Sequence, residues 1–178
     1  MKGLDKMKIT LIGIILFSTI LCSKEPVSLK KIFQDTFSKA TKVSQKEILL
    51  TSNEKKTLEK QAKAKIDSNK IHFYVVKKSN AIVGYGVMLV QRIRTKKAAI
   101  LYLIDKNEQI QNIEILVFHE PNEYKPYSTW KETFIGKSSK DDLRAGYDIP
   151  TISGSTLSAR AITNASRIAL AIVSREKN

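Results

Sequence analysis

Among 178 residues there are only one cysteine, one tryptophan, two histidines, four prolines and seven glycines. The lone Cys22 excludes an intramolecular disulfide. His72 and His119 form no His-Glu-x-x-His pair, and neither has a recognisable partner acid, so zinc-dependent and serine-type hydrolysis are not expected. His119, Glu120 and Glu123 lie close in sequence but lack a metal-ligand spacing. No Gly-x-Gly-x-x-Gly follows a strand, which argues against a nicotinamide site, and Gly-x-Ser-x-Gly is absent as well. Acidic residues are also short, 17 against 31 Lys and Arg, leaving a net charge of +14.

A membrane-length apolar run is missing too. The uncharged stretch from Ile9 to Leu21 has 13 residues, short of the roughly 20 that a spanning helix needs. Lys2, Lys6 and Lys8 precede it and Cys22 follows, the order expected of an export signal. Residues 1–22 are therefore set apart as a signal peptide or a membrane or lipid anchor, and residues 23–178 as one domain. Cys22 sits where bacterial lipoproteins carry their lipid-modified cysteine, although Leu21 replaces the usual small residue. A lipid anchor, an uncleaved membrane anchor and ordinary secretion stay open, and each places the domain outside the cytoplasmic membrane.

Without residues 1–22 the charge falls to +12, three lysines and one aspartate being removed. The lysines are scattered (Lys30, Lys31, Lys55, Lys56, Lys77, Lys78, Lys96, Lys97) and not interleaved with aromatics. Nucleic acid is not expected as a partner of an exported chain. A solvated basic surface near lipid headgroups is.

What is present is a core, with 42% hydrophobic residues in a chain of single-domain length. Leu29, Ile32, Phe33 and Phe37 fall at helical spacing behind Ser28, a plausible cap. Residues 53–66 read as a polar second helix capped by Asn53. Four β-branched and aromatic runs follow, "KIHFYVVKK", "AIVGYGVMLVQ", "KAAILYLID" and "IQNIEILVF", joined by pieces too short for parallel crossovers. Ser139, Asp141 and Asp142 are expected to open a short helix that Gly146 closes. Leu157, Ala161, Ala165, Ile168 and Ile172 trace one face of a final helix ending near Ser174. The fold class is α+β, an antiparallel sheet flanked by N-terminal helices and a long C-terminal helix.

"TISGSTLSARAIT", residues 151–163, opens that last helix with six hydroxyls: Thr151, Ser153, Ser155, Thr156, Ser158 and Thr163. A helix start needs one capping oxygen. A helix N-terminus also offers unpaired N–H groups and the positive end of the dipole, so this stretch reads either as a phosphate site with Gly154 admitting the ligand or as a capped polar turn.

Several pieces in order, "LKKIF" at 29–33, "FHEPNEYKP" at 118–126, Trp130, "FIGK" at 134–137, "DDLRAGYDI" at 141–149 and "SGSTLSARAIT" at 153–163, together resemble bacterial FMN-binding domains. These are related to the flavin subunits of the sodium-pumping NADH:quinone oxidoreductase and of the Rnf electron-transport complex, and the likeness is to a small exported branch. The resemblance implies FMN as cofactor, carried on Thr156 through a phosphoester bond that a flavin transferase installs from FAD with magnesium. It implies that Ser153, Gly154, Ser155 and Leu157 surround the ribityl phosphate, and that Glu120, Tyr124 and Trp130 line the ring pocket. Pro150 stands where the family usually has an aspartate, the nearest acid being Asp148, and Ser155 replaces an alanine. The expected role is an electron relay at the membrane's outer face with an unknown electron-transport partner. The alternative is a non-catalytic envelope lipoprotein that keeps the fold without the flavin, favoured by Pro150.

Overall fold

The computed structural model describes residues 28–38 and 42–177. The expected export segment, Cys22 included, lies outside the described residues. Five strands, β1 (Lys42–Leu49), β2 (Lys70–Lys78), β3 (Ala81–Arg92), β4 (Lys97–Asp105) and β5 (Ile110–Phe118), pair in sequence order, every pair antiparallel. The helices are α1 (Leu29–Thr36), α2 (Ser52–Ala62), the short α3 (Ser128–Glu132) and α4 (Thr156–Lys177), with a 3-10 turn at Asn122–Tyr124. This is the expected α+β arrangement, and four strands coincide with the four runs read from sequence. Among the described residues no helix is long and apolar enough to cross a membrane.

The sheet has two unequal faces because side chains alternate along each strand. One face carries Ile71, Phe73, Tyr85, Val87, Leu89, Ile100, Tyr102 and Ile104 into the main core. There α4 packs through Ala159, Ile162, Ala165, Ala169 and Ile172, each at most 4% exposed. Small alanines let the helix lie close, and the Tyr102 hydroxyl donates to the Ile162 carbonyl at 2.9 Å. Burial of that phenol raises its pKa well above the ordinary value, so it stays a neutral donor.

The other face is smaller. Ile32, Phe33 and Phe37 of the α1 region sit on Tyr74, Val76, Leu101 and Leu103. The Phe rings lie directly over glycines of β3. A Cβ at Gly86 would stand 2.8 Å from the Phe33 ring, and one at Gly84 would run into Phe37 and stand 2.8 Å from the Ile104 carbonyl oxygen. Gly84→Ala is thus expected to destabilise by about 1–3 kcal/mol through overpacking, more than the roughly 0.5–1 kcal/mol a strand gains when a glycine leaves it. A lowered urea midpoint with unchanged slope is the result to look for.

Several expectations change. Residues 42–49 form a fifth strand, because β1 is an edge strand with exposed residues from Lys42 through Glu47, leaving no alternation to detect. The cap of α2 is Thr51, not Asn53, in a full capping box with Glu54, and the helix ends at Ala62 where Lys63 turns left-handed at φ 48°. Residues 139–146 are turns instead of a helix. Asp141 accepts from Ser138 N–H at 2.8 Å, and Asp148 accepts from Leu143 and Arg144 N–H at 3.0 and 2.6 Å. Carboxylates that take backbone donors in this way compete with helix formation. On α4, Leu157 and Ala161 fall outside the buried stripe, Leu157 being 48% exposed, and the helix runs on to Lys177, which pairs with Glu108 at 2.7 Å.

Candidate functional site

The first helical bond of α4 runs from Ala159 N–H to the Ser155 carbonyl at 3.0 Å, which makes Ser155 the capping position. Its hydroxyl does not cap. It donates instead to the Glu123 carbonyl at 2.9 Å, tying the 3-10 turn to the start of α4. The N–H groups of Thr156, Leu157 and Ser158 consequently have no hydrogen-bond partner among the described residues. Ser158 Oγ, fully buried, has none either. Gly154, at φ +76°, faces open space, with nothing within 4 Å of where a Cβ would stand.

Thr156 is half-buried, and its hydroxyl makes one long bond, 3.3 Å to the Ile152 carbonyl. Ser153 and Leu157 are exposed beside it. The arrangement presents three unsaturated N–H groups, a helix dipole and an accessible hydroxyl at one point, which is what an anionic phosphate ester requires. Orphaned donors, an orphaned buried hydroxyl and an open glycine all fit a phosphate held here.

The segment in front of α4 is fixed from below. Trp130, 2% exposed, packs edge-on against Phe134 at 5.0 Å and donates from Nε1 to the Pro150 carbonyl at 2.7 Å. Its indole is turned into the interior. Asp148, the acid nearest to Pro150, is fully engaged. It pairs with Lys137 at 3.2 Å; burial pushes its pKa up, but the backbone donors and Lys137 outweigh this and hold it below the ordinary value.

Glu120 is buried at the turn between β3 and β4. A single oxygen, Oε1, accepts from the N–H groups of Arg94, Thr95 and Lys96 at 3.2, 2.7 and 2.7 Å, so the carboxylate clamps the β3–β4 turn. The bond from Lys96 is foremost in lowering its pKa. A folded-state value below the unfolded one means the clamp's contribution is complete above the usual carboxylate range and is lost as pH falls through the folded value. Glu120→Gln is expected to lower the melting temperature at pH 7, and the gap to the parent should close on acidification toward pH 3. Tyr124 lies next door, with the Arg94 guanidinium stacked 4.0 Å over its ring.

The FMN-binding domain family model matches residues 96–171, from the start of β4 well into α4. The chain carries an FMN-binding domain. FMN is its cofactor, and the phosphate-ready start of α4 falls inside the matched segment. None of the curated proteins or solved structures compared matches the chain. Of the part of the fold outside the family match, α2 and β3 pack against α4. A groove of about 780 Å³ runs from α2 across the end of β3 to Leu157, Arg160 and Ala161. The resemblance implies Leu157 beside the ribityl phosphate, and Arg160, four residues after Thr156 on the same helix face, was not singled out.

Proposed function

We propose that the protein is an electron-transfer flavoprotein of the outer face of the cytoplasmic membrane, with FMN joined through its phosphate to Thr156 Oγ1. The observation that carries this reading is the set of free N–H groups of Thr156, Leu157 and Ser158 around an accessible threonine hydroxyl at the head of a 22-residue helix. The bound flavin supplies one- and two-electron chemistry; the chain's part is to hold and tune it.

Attachment by a flavin transferase would make the Oγ1–phosphorus bond, break the pyrophosphate bond of FAD and release AMP, the hydroxyl proton leaving with it. The Ile152 carbonyl orients the Thr156 hydroxyl, and the helix dipole offsets the charge of the resulting diester. Pro150 does not disturb this geometry, since its carbonyl is held by Trp130 and Asp148 serves the neighbouring turn. Residues 1–22 support the envelope location by their charge and apolar order, and the positive domain suits a surface near anionic headgroups.

In-gel fluorescence of the denatured protein from its native host tests the attachment. A fluorescent parent band and a dark Thr156→Ala band are expected. A dark parent band would overturn covalent attachment, and absorbance of the undenatured protein would then show whether FMN is held without a bond.

A further inference from the structure

The groove beside α4 holds more positive charge than a flavin phosphate diester needs. Lys56, Lys60, Lys63, Lys65, Arg92 and Arg160 line it against two acids, Glu59 and Asp67. Both acids are already engaged. Glu59 accepts from Ile66 N–H at 2.9 Å and pairs with Lys65 at 3.5 Å, while Asp67 accepts from the backbone N–H of Arg92 at 2.6 Å. Lys56, Lys60, Lys63, Arg92 and Arg160 are left without an ionic partner among the described residues.

The layout narrows what could answer this charge. Lys56, Lys60 and Lys63 stand at positions i, i+4 and i+7 of α2 and its C-cap, a stripe about 10 Å long at 1.5 Å per residue. Like charges so spaced repel along a helix, a cost of a few tenths of a kcal/mol per pair with no compensating contact inside the fold. Arg92 at the end of β3 and Arg160 on α4 line the same groove, and Ile93, Leu157 and Ala161 contribute apolar surface to it. Cations spread over the roughly 10 Å of the α2 stripe do not converge on one atom as they would around a small anion. They match a ridge of carboxylates. The groove's end at Leu157 adjoins Thr156, so a partner seated there stands next to the proposed flavin.

We propose that this groove docks an acidic partner protein that exchanges electrons with the flavin, an inference that rests on the flavin reading above only for the electrons and not for the docking. Exposed charges of this kind govern the rate and orientation of encounter more than final affinity, the behaviour expected of short-lived electron-transfer complexes.

The probe is a fluorescently labelled octaglutamate peptide, titrated into the full-length protein at low and at 0.3 M salt, with flavin fluorescence read on the same samples. The Lys60→Glu/Lys63→Glu double variant is compared with Lys30→Glu/Lys78→Glu, which makes the same change in net charge on α1 and at the β2–β3 hairpin, away from the groove. We expect the groove variant to weaken peptide binding about tenfold or more at low salt, the control by less than about threefold, and the difference to shrink at high salt. Circular dichroism establishes that both variants are folded. Equal losses in the two variants would overturn the docking site. So would binding to phosphatidylglycerol vesicles through Lys60 and Lys63 without binding to the peptide, which would give the groove to a lipid surface. A dark protein that still binds the peptide through these lysines would sink the flavin reading and leave the docking site standing, while a fluorescent protein with no groove-dependent binding would do the reverse.

Discussion

Trp130→Ala is expected to lower the stability by about 3–5 kcal/mol, the usual cost of emptying a large aromatic site in a core. In a domain whose whole stability is typically about 5–15 kcal/mol, that is a large fraction. Trp130 is one of the largest fully buried side chains and is edge-packed against Phe134, so a cavity there has no nearby surface group to fill it. Trp130→Phe separates packing from the site. It keeps an aromatic ring against Phe134 but loses the 2.7 Å bond to the Pro150 carbonyl and part of the buried ring volume, a change of about 2–3 kcal/mol. Because that bond anchors the segment leading to Thr156, flavin per protein should fall in the Phe variant even at temperatures where it is fully folded. Urea denaturation and the ratio of flavin to protein absorbance measure the two effects. An unchanged flavin ratio in Trp130→Phe would mean the anchor is structural alone.

The second large effect is expected at Arg167. Its guanidinium donates to the Ala62 carbonyl at 2.6 Å, to the Lys63 carbonyl at 3.1 Å, to Asn164 Oδ1 at 2.9 Å and to the Leu143 carbonyl. One side chain of α4 thus satisfies carbonyls at the end of α2, where a helix has no partners of its own, and supplies positive charge to the negative end of its dipole. It also holds Leu143, which sits in the left-handed region at φ 47°. Arg167→Met preserves the stem and removes every donor, and a loss of about 2–3 kcal/mol is expected, the partly exposed position keeping it below the cost of a fully buried charge. Arg167→Lys should recover less than half, since an ammonium cannot reach three diverging carbonyls with one planar fork. Thermal unfolding compares the three proteins; near-complete rescue by lysine would show that charge matters here and geometry does not.

The legible parts of the chain were those with a strong local signal. β2 to β5 announce themselves through β-branched and aromatic runs, and Ser28 caps α1 as its position implies, accepting from Lys31 N–H at 3.3 Å. β1 was not legible because an edge strand is held by backbone bonds to β2 and buries little, so its sequence owes the fold no pattern. The Thr51 and Glu54 box was in plain view but overshadowed by Asn53, a stronger capping residue by type. The turns at 138–148 depended on Asp141 and Asp148 finding backbone donors, which no spacing rule foretells.

The candidate site divides in the same way. The hydroxyl-rich start of α4 was legible in the sequence because its residues are consecutive and can be read in one line, and FMN followed from the resemblance of the ordered pieces between residues 29 and 163 to FMN-binding domains. Tertiary structure decided the rest. It turned the Ser155 hydroxyl away from capping and onto Glu123, leaving the N–H groups free, and it sent Trp130 inward and Glu120 to a turn. It also brought Lys56, Lys60 and Lys63 across from α2 to face Arg92 and Arg160. Those charges lie up to 104 residues apart in the chain, and only the packing of α2 and α4 on one face of the sheet makes them a single field.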